Sequence, residues 1–242
     1  SKFYPLRFSF CENWQSAIPL IALQYHDVEL RITWSTLSSE KWECYAHYVY
    51  LDTDERSALS GTPQNMLITQ TQRAIASQSK IQEINFNHPV KVLAAADGSA
   101  LSIAADANKL KLQINGTDVT DYKFVDPHFT AIPAYYHTNA SAPVSLVSAS
   151  TLALQSNVLT ELNSNINAMT YTLATDGEND KLFLYPFCLD TCKLQPTGSL
   201  NFSRIDSARL VCDTANHEDD IYGVNYNILR IENGMGGLMY SN

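Results

Sequence analysis

The sequence predicts an all-β fold: an antiparallel jelly-roll sandwich or barrel with short helices in its connections. Three observations lead there. Apolar residues recur at every second position in several segments, turn-forming residues fall between those segments, and no helical crossover separates them. Strands buried on both faces of a parallel sheet would read as continuous apolar runs, whereas these alternate with polar residues and so have one buried and one wet face. With 242 residues the chain is long enough for one sizeable core. Residues 1–242 are therefore read as a single jelly-roll domain.

Taken in order, the first strands are expected at 3–10 and 19–34, the second placing Val28, Leu30, Ile32 and Trp34 opposite Glu29, Arg31 and Thr33. A strand at 44–51 leads to a short helix at 52–60, with Asp52 as its N-cap and Asp54 and Glu55 in its first turn. Strands at 66–74, 81–95 and 109–115 follow, and in the last Leu110, Leu112 and Ile114 alternate with Lys109, Lys111 and Gln113. Asp126-Pro127-His128-Phe129 offers a second short helix with proline at its first position. Strands at 182–189, 200–211 and 222–240 complete the set; the last sets Tyr222, Val224, Tyr226 and Ile228 against Gly223, Asn225 and Asn227. Several of these exceed one straight strand and are expected to bend or bulge. Positive φ is expected at Asn115-Gly116 and in Gly234-Met235-Gly236-Gly237. Residues 138–180, rich in Ser, Thr, Asn and Ala, form a long insertion, which the alternation of jelly-roll connections places at the end opposite the 52–60 helix.

Charge and composition narrow the functions available. A net charge of −9 without a Lys/Arg cluster weighs against direct nucleic-acid contact, and the longest charged run, His217-Glu218-Asp219-Asp220, is acidic. No apolar run is long enough to span a bilayer, and residues 1–5 lack the features of a secretory signal. The sequence enters its first strand with no lead-in, the expectation for a chain whose upstream part is absent. Cys11, Cys44, Cys188, Cys192 and Cys212 are odd in number and scattered, which fits free thiols in a reducing compartment.

No catalytic residue, cofactor site or metal site emerges. His26, His47, His88, His128, His137 and His217 include no His-x-His pair of the kind a cupin metal site needs. Asp52-Thr53-Asp54-Glu55 begins like a calcium loop but lacks the glycine and the distal glutamate, so it reads as helix-start carboxylates. Gly234–Gly237 lacks the glycine spacing and following helix of a phosphate cradle, and no Gly-x-Ser-x-Gly elbow occurs. Asn115, Asn139 and Asn201 head N-glycosylation sequons and are the candidate modification sites, expected to stay mostly unmodified without a secretory route.

Several stretches resemble one family. Residues 19–28 (PLIALQYHDV) resemble the strand that opens the second jelly roll of major capsid proteins from nucleocytoplasmic large DNA viruses. Residues 50–56 (YLDTDER) resemble their strand-to-helix junction, and 201–206 (NFSRID) and 225–231 (NYNILRI), running on to GMGGLMY at 234–240, resemble their C-terminal motifs. Residues 86–91 (FNHPVK) and 112–116 (LQING) fit in the same order, with the chlorella-virus and iridovirus branches nearest. The resemblance spans nearly the whole chain apart from 138–180. It departs from the family in showing only the second of two tandem rolls and a short connection at 97–108.

What the resemblance implies is a structural, non-enzymatic virion protein. It would form a homotrimeric, pseudo-hexagonal capsomer of an icosahedral capsid, packed against neighbouring capsomers and minor capsid proteins. It would lie near an internal viral membrane without inserting, and be assembled in the host cytoplasm. Other readings of the same residues are a single-roll minor capsid or vertex protein, a carbohydrate-binding jelly roll using Tyr135-Tyr136, and a cupin-like enzyme.

Overall fold

The computed structural model describes residues 6, 8–11, 13–33, 42–95, 108–138, 182–193 and 195–240. The chain divides into two compact units, Thr71–Asn225 and Ser1–Gln70 with Tyr226–Asn242. Its elements in order are α1 (Thr53–Gly61), β1 (Gln64–Ala74), β2 (Ile81–Glu83), β3 (Pro89–Ala95), β4 (Lys109–Ile114), β5 (Thr117–Asp118), β6 (Lys123–Phe124), α2 (Val125–His128), α3 (Ala131–His137), β7 (Phe183–Pro186), β8 (Leu200–Asn201), β9 (Ala208–Cys212), β10 (Ile221–Glu232) and β11 (Met235–Leu238). The 97–108 connection and the 138–180 insertion lie outside the described residues, save Asn108 and Thr138. The expectation about which end the insertion occupies lies outside them too.

The unit Thr71–Asn225 is two antiparallel sheets around one core. One runs from the end of β1 through the start of β10 to β3 and β7, with β8 also on β3; the other is β2–β9–β4–β5, with β6 also on β4. Leu110 and Leu112 of β4 and Ala208, Leu210 and Cys212 of β9 meet Val90, Leu93, Ala95 and Phe183 from the opposite sheet, all buried. On the outer face Lys111 pairs with Asp118, and Arg209 with Glu83.

Two of the long expected strands do not run straight; each leaves one sheet and joins the other. The 81–95 segment splits into β2 and β3, and 200–211 into β8 and β9. The corners lock together. The His88 N–H donates to Ser203 Oγ at 2.8 Å, and the Phe202 N–H donates to the His88 carbonyl at 3.1 Å. Phe86 and Phe202 pack ring to ring beneath them, with centroids 6.1 Å apart. His88 takes φ 66°, and Pro89 opens the next strand.

A bulge sets the face that β3 presents. β10 residues Val224 and Asn225 pair with Val92 and Val90, skipping Lys91. One extra residue inverts the alternation, so Val90 points into the core before the bulge and Leu93 and Ala95 after it.

β10 corrects the expected facing of its strand in part, since Tyr226 is buried as expected. Gly223, Asn225 and Asn227 are buried, and Tyr222 is exposed. The physical reason is pairing. Gln72 Nε2 donates to Asn225 Oδ1 at 2.9 Å, and Asn227 Nδ2 donates to Gln70 Oε1 at 2.9 Å, so strand-to-strand amides satisfy polar groups that burial would otherwise penalise. Gly223 leaves its place to a ring: a methyl group there would stand 2.5 Å from Phe86 Cε2.

In the unit of Ser1–Gln70 and Tyr226–Asn242, β11 folds back on β10 through Asn233 (φ 54°) and Gly234 (φ 79°), the two positive angles a tight hairpin requires. Gly236 and Gly237, also expected at positive φ, are ordinary strand residues. The Tyr25 N–H donates to the Gly234 carbonyl at 3.0 Å, and its ring lies where a Gly234 side chain would be. Asp52 caps α1 in a reciprocal box with Glu55: the Thr53 N–H donates to Asp52 Oδ1 at 2.7 Å and the Asp52 N–H to Glu55 Oε2 at 3.2 Å.

The strands expected at 3–10, 19–34 and 44–51 do not form among the described residues. Single 3-10 turns occur at Ser9–Cys11, Trp14–Ser16 and Leu20–Ala22, and residues 23–33 and 42–51 join neither sheet. Their alternation is real, but a strand exists only when a neighbour completes its hydrogen-bond ladder. Near the second short helix, Asp126 keeps extended backbone (φ −99°, ψ 124°) and its carboxylate accepts from Thr130 Oγ1.

Gly223→Ala should lower stability by about 1–3 kcal/mol through overpacking against Phe86. A urea midpoint that falls at constant m would show it, and the cost should shrink in a Phe86→Leu background. Asp52→Ala should cost about 1 kcal/mol and Asp52→Asn much less, because asparagine keeps the accepting oxygen. Amide exchange in the first turn of α1 measures both.

Candidate functional site

The acidic run singled out in the sequence is not a solvated patch. It forms the β9–β10 connection, and His217 within it is fully buried. Its Nε2 lies 3.5 Å from Cys212 Sγ on β9, and its Nδ1 has no hydrogen-bond partner. The backbone ties the connection to the β1–β2 loop: the Gln78 N–H donates to the His217 carbonyl at 3.0 Å and the His217 N–H to the Ser79 carbonyl at 2.8 Å.

Carboxylates brace both flanks. Asp220 Oδ1 accepts the Ala76 N–H at 2.9 Å and Oδ2 accepts Arg73 Nε at 2.6 Å. Asp213 Oδ1 accepts the Lys109 N–H at 2.9 Å. The Ala76 N–H and then Arg73 hold the Asp220 carboxyl below the ordinary carboxylate range. For Asp213, burial pushes upward, but the Lys109 N–H and Thr214 outweigh it and the net shift is downward.

Burial dominates the pair at the centre. It pushes the Cys212 thiol up to about 12, with Asp213 adding in the same sense, and it pushes His217 down to about 4 against an opposing contribution from the Leu210 carbonyl. The two groups are thus a neutral thiol beside a neutral imidazole near pH 7. That arrangement is the opposite of a thiolate–imidazolium pair and offers no activated nucleophile.

The other candidates fall apart on geometry. Among the described residues no three His, Cys, Asp or Glu side chains stand together as a metal would need. His26 Nδ1 accepts the Gly236 N–H at 3.1 Å, and His137 Nδ1 meets the Cys188 carbonyl at 2.9 Å. The 234–237 glycines belong to a hairpin, with Gly236 and Gly237 opposite Ile231 and Arg230, so their backbone serves a sheet. Asp52 and Glu55 serve the α1 cap. Tyr135 and Tyr136 are exposed, but their rings meet edge to face at 83° and give a sugar no single flat platform.

Two sequons sit in structural turns. Asn115 takes φ 50° in the β4–β5 hairpin, and its Oδ1 accepts the Asp206 and Ser207 N–H groups, each at 3.0 Å. Asn201 Oδ1 accepts the Ser203 N–H at 3.1 Å, and the Ser203 hydroxyl holds the His88 corner. Both asparagines are exposed; Asn139 lies outside the described residues.

Sequence reasoning missed the burial of His217 and the Asn–Gln pairs. Gln70 and Gln72, two apart in one strand, and Asn225 and Asn227, two apart in another, were the available signal for the pairs. For His217 no local signal exists, since its neighbours in sequence are acidic.

Residues 55–237 match the family described as large eukaryotic DNA virus major capsid protein, and residues 1–52 match a second family pattern, major capsid protein N-terminus. The major capsid protein of Pyramimonas orientalis virus is 33% identical over 99% of this chain and 61% of its own length. That of Phaeocystis pouchetii virus is 28% identical over 99% and 65%, and that of Paramecium bursaria Chlorella virus 1 is 29% identical over 100% and 67%. The chain thus spans about two thirds of the length of the relatives it matches. A chain of the PBCV-1 virus capsid quasi-atomic model superposes with a TM-score of 0.64 at 23% identity, covering 99% of this chain and 70% of that one. The fold is the antiparallel jelly roll that the alternation predicts, and the motifs that carried the resemblance led to the matching family. On these matches, the chain belongs to the large eukaryotic DNA virus major capsid protein family.

Proposed function

We propose that this chain is part of a shell subunit that assembles as a homotrimeric, pseudo-hexagonal capsomer of an icosahedral virion, built in the host cytoplasm. The observation that carries it is the segment of residues 23–33 and 42–51. Val28, Leu30 and Ile32 alternate and stay about half exposed, Tyr45 and Tyr50 are almost fully exposed, and neither stretch joins a sheet among the described residues. Apolar alternation without a ladder marks a surface that other chain segments complete. The match of residues 1–52 to the N-terminal family pattern supports the same view.

On this reading the domain expected over 1–242 is narrowed: residues 53–240 form the second roll, and 1–52 belong with the roll that precedes it in relatives. The partners are further copies of itself, neighbouring capsomers and minor capsid proteins. The net charge of −9 keeps genome contact indirect. No helix among the described residues is long and apolar enough to cross a membrane. The Asn115 and Asn201 sequons serve as turn-building residues, and Asn139 is the remaining candidate for a glycan.

A polypeptide joining this sequence to the part of a relative's length that it does not span should run as one discrete species of three chains. The 242 residues alone should give irregular oligomers. Light scattering with mass photometry separates these outcomes. A soluble, monodisperse monomer from the short chain would overturn the two-roll reading in favour of a single-roll minor capsid protein.

A further inference from the structure

The His217 pocket belongs to no motif that carries the family resemblance, and the assembly reading makes no use of it. In the neutral ring one nitrogen donates and the other accepts. Here Nε2 has only the Cys212 sulfur, a weak partner, and Nδ1 has none. An imidazolium carries two N–H donors; the Leu210 carbonyl lies close enough to favour the charged ring, but no oxygen among the described residues stands in hydrogen-bond geometry to either nitrogen. A protonated ring is therefore fully satisfied only with water, and water reaches the buried ring only if the connection between β9 and β10 lifts.

Charges flanking the ring are engaged with other elements. On its own connection, Asp213 holds the Lys109 N–H of β4 and Asp220 holds Arg73 of β1. Glu218 is exposed and Asp219 buried, and the ring's shift is set by burial and the Leu210 carbonyl, with no charge contributing. From the β1–β2 loop, Lys80 Nζ donates to the Asp213 carbonyl at 2.9 Å; from β2, Glu83 turns outward to Arg209.

We propose that His217 is an acid-sensitive clasp: protonation of its buried ring frees the 213–220 connection from the 75–80 loop and loosens the core at Cys212. The sign follows from linkage. The ring titrates at 6.5 when unfolded and at about 4 when buried, so its contribution to stability is complete above pH 6.5 and is lost as pH falls toward 4. Asp213 and Asp220 sit below 3.8, and their contributions fail only in stronger acid. The window from pH 6.5 to 4 therefore isolates the histidine from these flanking carboxylates.

The test is the reactivity of Cys212 in the full 242-residue chain, labelled with a neutral dipyridyl disulfide that reacts in acid and read from the mass of the Cys212 peptide. After correction for the reagent's rate with a small thiol, labelling should rise about 20-fold between pH 7 and pH 5. In His217→Gln it should stay flat. A rate that does not rise, or rises equally in the variant, overturns the clasp. Should the variant fail to fold, ring-proton NMR of the unaltered chain decides: His217 titrating near 6.5 in the folded chain overturns the proposal, and titration well below 5 supports it.

Discussion

The structure of the Thr71–Asn225 unit depends on one clasp between two corners. Two strands that the sequence presents as continuous must each leave one sheet and enter the other, and they do so at the same point. The His88 N–H and carbonyl bond to Ser203 and Phe202, while the Phe86 and Phe202 rings fill the space beneath. Backbone groups at a corner lose their ladder partners and, once buried, must find others. Here each corner supplies what the other lacks. With the crossing fixed, β2 and β9 face β3 and β7 across a common core, and Leu93, Leu110, Leu210 and Phe183 are fully or nearly fully removed from water. Opening a gap between the sheets at that point would expose all of them together.

From this constraint follows the odd composition of β10. It passes beneath Phe86, so position 223 has no room for a side chain, and glycine is there for space rather than for backbone freedom. Next along the strand, Asn225 and Asn227 lie on the buried side beside Gln72 and Gln70. Buried amides are costly unless paired, and paired amides fix register, because a one-residue slip would leave every one of them unsatisfied. The strand therefore uses hydrogen bonds where its neighbours use leucine and valine.

The parts legible in the sequence were those encoded locally. The 109–114 alternation became β4 with the expected faces, the later part of the strand expected at 200–211 became β9, the Asp52 cap formed with its Glu55 partner, and Asn115-Gly116 made its hairpin. What failed was set by distant residues. Period two in β10 gave the strand and the buried Tyr226, but not the burial of Asn225 and Asn227, because asparagine reads as polar until a glutamine stands opposite. The segment at 23–33 had the pattern of a strand, and among the described residues no strand pairs with it. His217 looked like part of an acidic surface because burial of a loop residue depends on which loop covers it, here 75–80, more than a hundred residues earlier in the chain.

The placement of polar chemistry follows one logic across the chain. An enzyme keeps a charged or chargeable group desolvated beside its substrate and invests stability to hold it there. In this chain the buried pair Cys212 and His217 is driven toward its neutral forms. The carboxylates that stay ionised lie at the rim and accept backbone N–H groups, as Asp213 and Asp220 do. Among the described residues, Asp213 and Asp220 use their charge to hold one loop to another. A neutral ring buried without a partner for its Nδ1 is, by the same logic, a place where stability falls as the solution turns acid.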